Sequence, residues 1–102
     1  MDSAILEKIR KLKREIIPEQ KLILFGSQAR GEERQDSDWD LLMLLDKSKP
    51  EEIDEDNAYK FVLMGWKLGV YISIKIYTLN EWQIRKPSIF YKNIEQDGIE
   101  II

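Results

Sequence analysis

A chain of 102 residues has room for one compact domain and little spare stability. Its formal net charge of −3, with no large Lys/Arg block, argues against a grip on duplex nucleic acid, because phosphate neutralisation supplies most of that affinity. With no cysteine and no histidine, disulfides, thiolate metal sites and imidazole acid–base chemistry are excluded, which leaves carboxylates, hydroxyls, lysines, arginines and bound metal.

Charged residues run through the first twenty positions, so the amino terminus lacks the apolar core of a signal peptide or a membrane span, and a cytoplasmic location is expected. Ile5, Ile9, Leu12 and Ile16 recur at helical spacing with Lys and Arg on the other side, and Pro18 closes that helix. Lys21 to Phe25 is short and apolar and ends at Gly26, which predicts a buried strand followed by a brief helix. The run from Asp38 to Asp46 is apolar in its middle and acidic at its ends, which suits a central strand covered on both faces. Ser48-Lys49-Pro50-Glu51 has capping-box spacing and predicts a helix from near Lys49 to Gly69, with Ile53, Phe61, Val62, Gly65, Trp66 and Leu68 on its apolar side. Val70, Ile72, Ile74 and Ile76 alternate with Tyr71, Ser73, Lys75 and Tyr77, the period of a strand with one apolar and one polar face. From Asn80 to Gly98, apolar residues around Pro87 suggest one or two short helices before an apolar tail, Ile99 to Ile102. The expected organisation is a single domain over residues 1–102, without internal repeats or linkers.

The densest chemical information lies between Gly26 and Asp40. A Gly-Ser pair, a ten-residue gap and Asp-x-Asp arise together by accident in such a chain at odds on the order of 10⁻³. Asp38 and Asp40, two apart on a strand, would leave the same face with Cα atoms roughly 6.6 Å apart while Trp39 points into packing. Two carboxylates so placed can share one or two Mg²⁺ ions together with substrate phosphates. Gly26 lets backbone N–H groups approach a phosphate, and Ser27 offers a hydroxyl at a helix start, where anions are favoured. Arg30 either reaches a phosphate or forms a salt bridge to Glu33 or Asp36. Asp36 reads as a solvated acid and Ser37 as a cap or turn residue.

These residues, Gly26-Ser27 with Ala29-Arg30-Gly31 and then Ser37-Asp38-Trp39-Asp40-Leu41-Leu42, resemble the minimal nucleotidyltransferases of the DNA polymerase beta superfamily. The resemblance is strongest over residues 22–46. It implies an α+β, polymerase-beta-like nucleotidyltransferase fold: a small mixed β-sheet with helices packed on one face. It further implies Mg²⁺-dependent transfer of a nucleoside monophosphate from a nucleotide triphosphate, ATP in the leading reading, with release of pyrophosphate. Gly26 and Ser27 would hold the triphosphate, and Asp38 and Asp40 would be the catalytic metal ligands. Short members of the group often accompany a HEPN protein in a toxin–antitoxin arrangement in which the transferase adds AMP to its partner.

One position departs from that pattern. The family usually places a third carboxylate on a later strand, and here that position falls on Ser73; residues 70–78 contain no Asp or Glu at all. The leading expectation is therefore an AMP transferase acting on a hydroxyl of a HEPN-type protein partner. The alternatives are a catalytically impaired pseudoenzyme that neutralises its partner by binding, and one subunit of a larger transferase. Tyr71, Tyr77, Phe90, Tyr91 and the Ile99 to Ile102 tail are candidates for a partner surface, against a competing use in ordinary packing.

Overall fold

The computed structural model describes residues 1–34 and 38–102. In chain order its elements are α1 (Ser3–Ile16), β1 (Lys21–Phe25), α2 (Gly26–Arg30), β2 (Trp39–Leu45), α3 (Glu52–Leu68), β3 (Ile72–Thr78), α4 (Leu79–Ile84), α5 (Ile89–Asp97) and β4 (Ile99–Ile101). The strands form one mixed sheet in the order β3-β2-β1-β4. Consecutive β1 and β2 pair antiparallel, whereas β3 returns through α3 to lie parallel to β2.

Local chemistry fixes most of the boundaries. Asp2 caps α1 by accepting from the Ala4 and Ile5 amides at 2.9 and 3.3 Å. The helix stops at Ile16 because Ile17 precedes Pro18 and is pushed out of the helical region. The same rule corrects the start of α3. Lys49 precedes Pro50 and cannot be the first helical residue, so Ser48 does not cap the helix and Glu51 takes that position. The Asp54 carboxylate accepts the Glu51 amide at 2.8 Å, and Lys47 Nζ sits 2.9 Å from both Asp54 and Glu51. Gly69 ends α3 in the left-handed conformation, as the sequence suggests.

Alternate residues of the central strands feed two cores. Leu22, Leu24, Trp39, Leu41, Met43 and Leu45 pack with Ile9 of α1 and with Ala58 and Phe61 of α3. Ile23, Leu42 and Leu44 face the other way, against Trp82 of α4 and Ile94 of α5, with Phe25, Tyr77, Phe90 and Tyr91 around them. The fold is thus the expected small mixed β-sheet with packed helices, the two long ones together on one face. The arrangement on one face holds for α1 and α3 only, because the short α4 and α5 add a second layer opposite. On α3 the buried stripe runs Asp54, Asn57, Ala58, Phe61, Gly65. Ile53, Trp66 and Leu68 fall off it and are exposed, so the apolar side drawn from the sequence is broader than the buried one.

The apolar tail is a strand. Ile99 and Ile101 pair with Leu24 and Leu22 on the free edge of β1. The turn that delivers them needs Gly98, since a Cβ there would lie 2.5 Å from the Ile94 carbonyl and 2.8 Å from Ile23. Among the described residues, no helix is long and apolar enough to cross a membrane.

Candidate active site

β1 and β2 run side by side so that Phe25, the last residue of β1, lies opposite Asp40, the second residue of β2. The chain then turns at Gly26, where φ is +76°, and a Cβ at that position would stand 2.3 Å from Asp40 Oδ2 and 3.2 Å from its Cγ. Glycine is required twice here, for the left-handed backbone and for the carboxylate that occupies the space a side chain would take. The Gly26-Ser27 turn and Asp40 are therefore in direct apposition. Ser27 is half-buried, and its carbonyl accepts the Glu32 amide at 3.0 Å, closing the short α2.

Asp38 precedes β2 by one residue and is exposed. Between the two acids Trp39 turns into the α1/α3 core, and its backbone N–H donates to the Tyr71 carbonyl at 2.9 Å. That bond ties the entrance of β2 to the approach of β3. Burial pushes the Asp40 carboxyl above its usual range, and the negative charge of Asp38 pushes the same way. The cations Lys75 and Arg30 pull it partly back. A pair of like charges in a half-buried corner is electrostatically unfavourable in the folded protein and fits a bound cation.

The other residues singled out from the sequence divide. Arg30 pairs with Glu32, and Glu33 instead holds the amino group of Met1, so neither side of the expected Arg30–Glu33 bridge forms it. Asp36 and Ser37 lie outside the described residues. Ser73 falls next to Asp40 in the parallel β2–β3 register, with Lys75 next to Leu42. Ser73 is thus the neighbour of Asp40 across the strand pair. Among the described residues, no group of three or more Asp, Glu, His or Cys could hold a metal ion. Asp38 and Asp40 are hard oxygen donors of the kind that binds Mg²⁺, which commonly takes one or two protein carboxylates and completes its shell with water and substrate phosphates. An open groove of about 630 Å³ between α4 and α5, lined by Glu81, Ile84, Arg85, Pro87 and Ser88, contains no carboxylate pair.

The family model for the nucleotidyltransferase domain matches residues 5–99. The chain belongs to this family. Solved structures agree on the fold. A chain of a toxin–antitoxin complex crystallised with AMP-PNP is 22% identical at a TM-score of 0.64, with 95% of this chain and 72% of that one covered. The MntA–HepT toxin–antitoxin structure gives 19% identity and a TM-score of 0.59, covering 99% of this chain and 72% of that one. A complex of tri-AMPylated Shewanella oneidensis HEPN toxin with MNT antitoxin gives 19% and 0.59, with 100% and 72% covered. Among curated proteins there is no match.

A sequence reading misses one feature of this nucleotidyltransferase domain, the degree to which Gly26 is shaped by Asp40 rather than by a phosphate alone. Lys75 is legible in the sequence as a positive charge beside Ser73, of the wrong sign for a metal site, and the structure adds that this charge acts on Asp40 from the neighbouring strand.

Proposed function

We propose that residues 1–102 act as one Mg²⁺-dependent nucleotidyltransferase domain that moves AMP from ATP to a hydroxyl on a HEPN-type protein partner, as the antitoxin-like half of the pair, in the cytoplasm. The observation that carries the proposal is the apposition of Asp40 to the Gly26 turn, with Asp38 beside it. Support for the partner comes from the kind of neighbour the fold has, a HEPN toxin bearing AMP groups in complex with an MNT antitoxin. Asp38 and Asp40 would hold the metal, and Gly26, Ser27 and Arg30 would bind the triphosphate. Arg30 must then leave or share its contact with Glu32. When bound, the ion supplies charge neutralisation and polarisation of the phosphates.

In the transfer itself a partner hydroxyl oxygen forms a bond to the α-phosphorus. The bond from that phosphorus to the bridging oxygen breaks, pyrophosphate leaves with the electron pair, and the hydroxyl proton passes to water. This chain's residues position the nucleotide for in-line attack, the larger share of catalysis in phosphoryl chemistry.

Incubation with α-labelled ATP, Mg²⁺ and the protein encoded beside it should label that partner, and Asp38→Asn with Asp40→Asn should abolish the label. Intact nucleotide binding with no transfer would remove the enzymatic claim. Ser73 beside Asp40 favours a second reading, in which the domain neutralises its partner by binding alone. In that case the double Asn variant still neutralises the partner in cells.

A further inference from the structure

The carboxylate corner contains a second chemical element, carried by β3. Because β2 and β3 are parallel with Asp40 beside Ser73 and Leu42 beside Lys75, Ser73 and Lys75 share the sheet face of Asp40. On this lattice the Lys75 Cα lies roughly 8 Å from that of Asp40, one strand across and two residues along. A lysine side chain spans that gap. The two cations that act on Asp40 are Lys75 and Arg30, and they differ in their commitments. Arg30 is ion-paired with Glu32. Lys75 is exposed and forms no ion pair with any described residue.

An ammonium group on the sheet face of a carboxylate that would hold a metal, and not ion-paired with it, is available to an anionic ligand that the same carboxylate would hold through its metal. A nucleoside triphosphate brings more negative charge than one divalent ion neutralises, and the strand that would carry a third acid carries a neutral serine and this lysine instead. Resting on the nucleotidyltransferase reading above, we propose that Lys75 is a phosphate-binding residue of this site, contacting the nucleotide's polyphosphate and supplying positive charge on the side of Asp40 where Ser73 replaces an acid. Tight uptake of the triphosphate then depends on Lys75 and falls with the number of phosphates.

The test is calorimetric titration of the whole chain with ATP, ADP and AMP in Mg²⁺, followed by the same titrations of Lys75→Gln and Lys75→Arg. Thermal melting of each variant confirms the fold. A charge-assisted hydrogen bond of ordinary strength predicts that Lys75→Gln weakens ATP binding about tenfold or more, AMP binding much less, and that Lys75→Arg retains most of the affinity. Raising the salt concentration should weaken the wild type more than Lys75→Gln. Equal ATP affinities for wild type and Lys75→Gln, with equal melting temperatures, would overturn the assignment while leaving the nucleotidyltransferase proposal standing. Failure of the wild type to bind any nucleotide would overturn both.

Discussion

A single strand, β2, serves two opposite environments. Trp39, Leu41, Met43 and Leu45 enter the apolar core beneath α1 and α3. Asp40, one residue out of phase, lies where the charges of Asp38, Lys75 and Arg30 act on it, and only farther along that face do Leu42 and Leu44 rejoin an aromatic core with Trp82. The contrast teaches how so small a domain tolerates a corner of like charges. Apolar burial on one side of the strand holds the backbone, and the other side is left free to place groups that disfavour the apo protein.

Removing the support should have the largest effect on stability. Phe61 is fully buried between α3 and the sheet, and Phe61→Ala should destabilise the protein by about 3–5 kcal/mol in chemical denaturation. Asp40→Asn probes the opposite side. Nucleotide transfer should drop at least about 100-fold, since charge stabilisation through a metal contributes several kcal/mol. Its melting temperature without metal should nonetheless equal or exceed that of the wild type, because the repulsion from Asp38 and the burial of charge are both relieved. A marked loss of stability in this variant would break the comparison.

Gly26→Ala lies on the boundary between the two. The left-handed backbone alone should cost about 1–2 kcal/mol, the collision with Asp40 adds to it, and nucleotide uptake should weaken because Asp40 must move. The smallest effect belongs to Lys47, held by Asp54 and Glu51 at the far end of β2. The bonds to Asp54 first, then to Glu51, raise its pKa above the ordinary 10.5. Its stabilisation is therefore complete below the unfolded-state value and is lost as pH rises through the folded one. Lys47→Met should melt lower than wild type at pH 8, and the difference should shrink as pH rises beyond the ordinary lysine range.

The sequence revealed those features that depend on neighbouring residues. Helix α1 was legible from four isoleucine and leucine positions and a proline, β1 from an apolar run bounded by Gly26, and the α4–α5 pair from apolar clusters around Pro87. The Gly-Ser and Asp-x-Asp motif marked the corner that the fold then assembles. What stayed hidden depends on partners distant in the chain. Ile99 to Ile101 form too short a run to show strand periodicity and become a strand only against the edge of β1. Tyr77, Phe90 and Tyr91, candidates for a partner surface, are largely used around Trp82, whereas Tyr71 remains 57% exposed. Ser48-Lys49-Pro50-Glu51 misled because cap spacing was weighed without the constraint that proline places on the residue before it.

The adjacency of β1 and β2 also divides the corner by distance along the chain. The glycine turn and both acids belong to one antiparallel pair of consecutive strands, a short-range arrangement that forms at low loop-closure cost. Lys75 arrives on a parallel strand only after α3 has crossed the sheet. The acids and Arg30 thus belong to one local stretch of chain, whereas Lys75 depends on α3, so partial unfolding that frees α3 would take the lysine from the corner while leaving the β1–β2 pair intact.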